Sequence, residues 1–153
     1  MKNHEFKTEE DYYIIGKSIG KGAFSTVYVG IHILTGKYVA IKCIKRNSLN
    51  ETLIREKVME EINLIKLLNN RNVIYFLEFF ENKNGIYMVF ELVKGGDLFS
   101  YIRAKGQINE NACKPIFRQI LNGLHYCHMN NILHRDIKLE NILINLNNEI
   151  KVI

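Results

Sequence analysis

The residues best suited to chemistry lie in one short stretch, residues 134–141, which reads HRDIKLEN. Asp136 supplies a carboxylate that can accept or orient the proton of an attacking hydroxyl. Lys138 supplies an ammonium that can neutralise negative charge, and Asn141 supplies an amide oxygen that can bind a magnesium ion. The stretch lies between two apolar runs, so we expect a loop that presents these three side chains at fixed short offsets.

A second candidate site is the glycine-rich segment 20–27, GKGAFSTV, which follows one strand-like run and precedes another. Glycine at positions 20 and 22 would let backbone N–H groups reach phosphate oxygens without interference from a Cβ atom. A tight hairpin without a ligand explains the same pattern about as well. A Rossmann-type dinucleotide site is disfavoured because no helix follows directly.

Lys42 stands within the apolar run 38–44, where a solitary buried charge is costly without a partner. Most lysines in strands are surface or edge residues, so this position alone does not indicate a site. Glu61 is the candidate partner because it directly precedes Ile62 on the apolar face of the next predicted helix. Glu60 is then expected to face solvent.

The pattern of apolar residues predicts the elements that must position these groups. Runs of β-branched and aromatic residues separated by glycine turns predict antiparallel strands, and apolar residues at three- and four-residue steps predict helices. In chain order we expect strands at 13–15, 27–31 and 38–44, a helix at 51–68, strands at 76–80 and 86–91, helices at 98–105 and from 110 to about 129, and a hairpin formed by 142–144 and 150–153.

Pro115 leaves the start of the longest predicted helix open. If Asn109 caps this helix, Pro115 falls after the first turn and removes one backbone hydrogen bond. A helix that begins nearer Lys114 would place the proline at its first position, where proline is favourable.

The composition is that of an ordinary soluble globular domain, with 153 residues, 47% hydrophobic and 24% charged. The net charge of +5 is spread along the chain, which favours a solvated basic surface over nucleic-acid binding.

Cys43, Cys113 and Cys127 form no C-x-x-C pair, which favours reduced thiols. No secretory signal or spanning run is found, so we expect a cytoplasmic protein, with the nucleus left open, and no membrane or nucleic-acid partner.

In their order along the chain, these motifs resemble those of the eukaryotic protein kinases of the serine/threonine type. The resemblance includes the segment VAIK at 39–42 and a hinge-like segment FELV at 90–93. Segments 95–99 and 116–121 are similar to the calmodulin-dependent and AMP-activated kinase group. The implied fold is α+β, with a five-stranded antiparallel N-lobe, one main helix and the first part of a helical C-lobe. The implied domains are an N-terminal extension, 1–11, and a kinase domain, 12–153, with N-lobe 12–93 and partial C-lobe 94–153.

The resemblance implies transfer of the γ-phosphoryl group of ATP to Ser and Thr hydroxyls of proteins, with ATP and Mg²⁺ as cofactors. It gives Asp136 the role of catalytic base, Lys138 that of neutralising the transferred phosphoryl group and Asn141 that of binding magnesium. The residues implied to contact or position ATP are Ile19, Gly20, Lys21, Gly22, Ala23, Phe24, Ser25, Thr26, Val27, Ala40, Lys42, Glu61, Glu91, Val93, Asp97 and Leu143.

The chain departs from the family pattern at its end. An Asp-Phe-Gly motif that binds magnesium usually follows the loop asparagine by roughly a dozen residues. The sequence stops at Ile153, in the strand that would lead into this motif. We therefore expect a truncated domain whose phosphoryl transfer is impaired on its own.

Truncation would also expose one apolar helix face, formed by Ile116, Ile120 and Leu124, which we expect a regulatory partner to cover. Two alternatives remain at this point. One is a truncated, non-catalytic nucleotide-binding or regulatory module, against which the retained Asp136, Lys138 and Asn141 argue. The other is a kinase of small molecules with a related fold.

Overall fold

The computed structural model describes residues 12–23, 25–46 and 51–153, and these contain seven strands and three α-helices. The predicted extension 1–11 and the predicted ATP contact Phe24 lie outside the described residues. In chain order the elements are β1 (Tyr13–Lys21), β2 (Ser25–His32), β3 (Tyr38–Lys45), α1 (Glu51–Ile65), β4 (Phe76–Asn82), β5 (Gly85–Glu91), α2 (Leu98–Lys105), α3 (Glu110–Met129), β6 (Ile142–Ile144) and β7 (Ile150–Val152).

Five strands form one antiparallel sheet in the order β1-β2-β3-β5-β4, which confirms the predicted α+β class. Strand β3 lies at the centre, between β2 and β5. Because side chains alternate between the two faces of a strand, Val39, Ile41 and Cys43 share one face of β3, and Ala40, Lys42 and the buried Ile44 share the other. The first face packs as one core of Val39, Ile41, Cys43, Phe80, Tyr87 and Val89.

Helix α1 ends three residues earlier than the predicted helix 51–68. The amides of Leu67 and Leu68 bond to carbonyls three residues back, so the chain tightens into turns after Ile65. Of the four apolar positions at helical spacing, which are Val58, Ile62, Ile65 and Leu68, three are buried and Ile65 is partly buried. The apolar spacing therefore predicted most of the buried face correctly and the helix end wrongly.

The chain divides into two compact units, Met1–Glu60 with Phe76–Leu92, and Glu61–Tyr75 with Val93–Ile153. The first unit contains the five-stranded sheet, and the second contains α2, α3 and the hairpin β6-β7. Among the described helices, none is both long enough and apolar enough to cross a membrane.

Helix α3 organises the second unit. The Asn109 side chain caps it by accepting a hydrogen bond from the Ala112 amide at 2.9 Å, so Pro115 lies inside the helix. The face formed by Ile116, Ile120 and Leu124 packs against a core of Leu98, Ile142, Ile144, Ile150 and Val152. The expectation that this face is exposed is therefore wrong, because α2 and the hairpin cover it.

Candidate active site

Three side chains of the loop between α3 and β6 meet at one carboxylate, that of Asp136. Its Oδ2 accepts hydrogen bonds from Lys138 Nζ at 2.7 Å and from Asn141 Nδ2 at 2.8 Å. Asn141 Nδ2 also donates to the Asp136 backbone oxygen at 2.9 Å. Asn141 is brought within reach by a single 3₁₀ turn, Leu139–Asn141. The structure thus brings together the three residues that the sequence predicted to be catalytic.

The same contacts set the charge state of the loop. The hydrogen bond from Lys138, followed by that from Asn141, lowers the pKa of Asp136, and the pKa of Lys138 is raised by its bond to Asp136. Both side chains are exposed, at 63% for Asp136 and 48% for Lys138. Asp136 is therefore an ionised carboxylate that a solute can reach. Within the described part of the chain its Oδ1 has no hydrogen-bond partner, so this oxygen can accept a proton.

His134 fixes the backbone at the start of the loop. Its Nδ1 accepts a hydrogen bond from the Asp136 amide at 3.2 Å, and its Nε2 bonds to the carbonyl oxygen of Ile153. A neutral imidazole has one acceptor and one donor nitrogen, so these two partners require the proton to be on Nε2. Between His134 and Asp136, Arg135 adopts a φ of 65°, a left-handed conformation that costs a non-glycine residue about 1–2 kcal/mol.

The residues of the loop fit one side-chain ligand of a magnesium ion. Because the Nδ2 atom of Asn141 is used in bonds to Asp136, its Oδ1 atom is the group that can bind a cation. Amide and carboxylate oxygens suit Mg²⁺, which usually keeps waters and phosphate oxygens as its other ligands. Among the described residues, no group of three or more His, Cys, Asp or Glu side chains could hold a metal ion.

The glycine-rich segment connects β1 to β2. Gly20 pairs with Val27, and the amide of Gly22 donates to the Ser25 carbonyl at 2.8 Å. A Cβ atom added at Gly20 would meet Val27 at an ordinary 3.7 Å, and one added at Gly22 would meet Ser25 Oγ at 3.4 Å. The packing of the described residues therefore does not demand glycine at either position. A ligand that approaches the backbone closely would demand it.

Lys42 and Glu61 lie in different units, so their predicted pairing stays a prediction. Lys42 is half-buried in the centre of the sheet, paired with Val27 and Met88. On α1, Glu61 is half-buried and Glu60 is exposed, in the order that the helix pattern predicted.

The other predicted ATP contacts are found at three places in the two units. In the first unit, Ile19, Lys21 and Ala23 are exposed, and Ser25, Thr26, Val27 and Ala40 are partly buried. Glu91 ends β5, and Val93 follows in the second unit, both partly buried.

The third place is the pair Asp97 and Leu143, which form an isolated antiparallel bridge. Asp97 caps α2, accepting from the Ser100 amide at 2.7 Å and the Ser100 hydroxyl at 2.9 Å. Each carboxylate oxygen of this cap keeps a lone pair that could also accept a hydrogen bond from a sugar hydroxyl.

Sequence reasoning missed two polar residues of the second unit, Asn72 and Gln119. Asn72 is only 2% exposed, and its side-chain Nδ2 donates a hydrogen bond to Gln119 Oε1 at 3.2 Å. The sequence did contain a signal for Gln119. It is a polar residue three positions after Ile116 and four before Gly123, so it falls on the apolar side of the helix.

Replacing Lys138 with methionine is expected to raise the pKa of Asp136 toward its ordinary value, because the hydrogen bond from Lys138 is the largest cause of the lowering. A carboxylate is ionised above its pKa, so the variant should lose the Asp136 charge at a higher pH during acidification. NMR titration of the Asp136 carboxyl carbon measures this midpoint. Lys114→Met, which removes the lysine paired with Glu110 at 3.0 Å, is the control and should leave it in place. An unchanged midpoint in Lys138→Met would contradict the assignment.

Comparison with known proteins places these residues in a family context. Residues 13–153 match the family model described as "Protein kinase domain". The SNF1-related protein kinase catalytic subunit alpha KIN12 of Arabidopsis thaliana is 41% identical over 141 residues, which are 92% of this chain and 28% of that protein. CBL-interacting protein kinase 11 of Oryza sativa subsp. japonica is 36% identical over 140 residues, again 92% of this chain and 28% of the relative. The chain thus spans between a quarter and a third of the length of these relatives.

Proposed function

Because this chain belongs to the protein kinase domain family, we propose that it acts in ATP-dependent transfer of a phosphoryl group to Ser and Thr hydroxyls of proteins. The resemblance to serine/threonine kinases of the AMP-activated kinase-like group is confirmed by the relatives. The observation that carries the proposed activity is the cluster of Asp136, Lys138 and Asn141 on one carboxylate oxygen.

Each member of this cluster has one task in the proposed reaction. Asp136 Oδ1 orients the substrate hydroxyl and accepts its proton, while Oδ2 is held by its two neighbours. Lys138 offers an ammonium beside the attacking oxygen, where negative charge on the phosphoryl group needs neutralising. Asn141 Oδ1 holds a magnesium ion. Mg²⁺, when bound there, would supply positive charge that neutralises the phosphates.

The proposed nucleotide contacts come from the sheet of the first unit and from residues of the second unit. Gly20 and Gly22 place no Cβ atom in the path of an approaching phosphate, which explains glycines that the packing of the described residues does not require. Lys42 neutralises the α- and β-phosphates of ATP. Glu91 and Val93 bind the adenine edge through backbone groups, and Asp97 accepts a ribose hydroxyl.

The proposed activity acts on protein substrates. We also propose that the protein is located in the cytoplasm. A regulatory partner remains a proposal as well. On helix α3 the large apolar side chains left exposed are Phe117, Leu121 and Met129, and a partner would meet these rather than the covered face.

The test is transfer from radiolabelled ATP with Mg²⁺ by the native full-length polypeptide. Peptides that carry serine or threonine should be labelled, whereas a peptide whose only hydroxyl is tyrosine, a hexose and an aminoglycoside should not. Labelling of a small molecule instead would favour a small-molecule kinase. ATP binding without any transfer, measured by calorimetry, would favour a non-catalytic nucleotide-binding module and overturn the proposal.

A further inference from the structure

Asn72 is a buried polar side chain, and buried polar groups need hydrogen-bond partners. It is 2% exposed, and its Nδ2 donates to Gln119 Oε1 at 3.2 Å and to the Ile150 carbonyl at 3.1 Å. Its backbone oxygen accepts from the Val152 amide at 2.9 Å. A buried amide left without such partners is costly. Asn72 therefore holds both ends of the short strand β7.

Gln119 of α3 holds the same strand from another side. Its Oε1 accepts from the Ile150 amide at 3.1 Å as well as from Asn72, and its Nε2 donates to the Asn148 carbonyl at 3.1 Å. The helix can come this close because Gly123 stands one turn on, where a Cβ would lie 2.6 Å from the Asn72 oxygen. The two amides therefore form one network, the Asn72–Gln119 clamp, around Ile150.

Strand β7 in turn supports the catalytic loop at two points. It pairs with β6, which begins directly after Asn141. The residue after β7, Ile153, donates its amide to the Asn141 carbonyl at 3.0 Å and accepts a hydrogen bond from His134. Asn141 and His134 flank Asp136 on its two sides, so a displacement of β7 would be transmitted to both.

We propose that the Asn72–Gln119 clamp positions the catalytic loop, with Gln119 as its central positioning residue. The clamp fixes β7, and β7 fixes Asn141 and His134, which hold Asp136 in place. This inference rests on the proposed kinase function for its activity readout. Its structural readout, the protection of β7, is independent of that function.

The test compares Gln119→Met, which keeps the length of the side chain and removes all its hydrogen bonds, with Gln119→Glu, which keeps the acceptor oxygen. In the native full-length protein, kcat per folded molecule should fall about ten- to a hundredfold in Gln119→Met, since small displacements of catalytic groups have effects of this size. Gln119→Glu should lie between it and the wild type. Hydrogen exchange at the amides of Ile150 and Val152 should accelerate in Gln119→Met.

Tyr126→Phe is the matched control, because the Tyr126 hydroxyl also links α3 to the segment after α1, accepting from the Asn69 amide at 3.0 Å, without a hydrogen bond to β7. It should keep kcat within about twofold. Equal kcat losses in Tyr126→Phe and Gln119→Met, or a loss without faster exchange in β7, would overturn the clamp. An active wild type with an equally active Gln119→Met would also overturn it. A wild type that transfers no phosphate would instead overturn the proposed function.

Discussion

Replacing Asp136 with asparagine is expected to lower kcat for peptide phosphorylation by about a hundred- to ten-thousandfold, the usual contribution of a positioned general base. Asparagine has nearly the same shape and keeps an oxygen that can accept from Lys138. Its amide cannot take up the proton of a substrate hydroxyl. Single-turnover kinetics with a serine peptide and saturating ATP measure the effect on the chemical step itself.

The matched control for this prediction is Glu110→Gln. Like Asp136, Glu110 is an exposed carboxylate paired with a lysine, here Lys114 at 3.0 Å, but it stands in the first turn of α3. Its loss should leave turnover unchanged. If Asp136→Asn turned over as fast as Glu110→Gln, Asp136 would have no part in proton transfer, and the cluster in the loop would be structural.

The sequence predicted best what depends on neighbours in the chain. The strand at β3 and the helix α2 depend on side-chain type and local hydrogen bonds, and both are found as predicted, while Asn109 is the one of the two helix starts left open that the structure shows. The stretch 134–141 was also readable, because its three functional side chains are spaced within six residues. Chemistry that is concentrated in one short segment needs no knowledge of the tertiary structure.

What failed depends on contacts between distant segments. The covered face of α3 was predicted to be exposed because truncation was expected to remove its packing partners, whereas α2 and the predicted hairpin pack against it. The bond from His134 to Ile153 spans 19 residues, and that from Asn72 to Ile150 spans 78. No local pattern specifies such pairs. In the sequence, such long-range pairs are indicated only by a polar residue on an otherwise apolar face.

The centre of the sheet offers the other large expected effect. Lys42 is held by backbone pairing on both sides, to Val27 and to Met88, on the face opposite the core of the first unit. Lys42→Met keeps the apolar stem and removes the ammonium that we assign to the phosphates of ATP. Loss of one such preorganised electrostatic group is expected to lower kcat about a hundred- to a thousandfold.

Lys45→Met separates this role from a general effect of removing a positive charge from β3. Lys45 is the last residue of the same strand, exposed and paired with Gly85. Its replacement should change neither kcat nor ATP binding, whereas Lys42→Met should weaken the binding of ATP more than that of adenosine, which lacks phosphates. Equal weakening of both ligands would show that Lys42 acts on the nucleoside or on the sheet, because an ammonium that neutralises phosphates can discriminate only where phosphates are present.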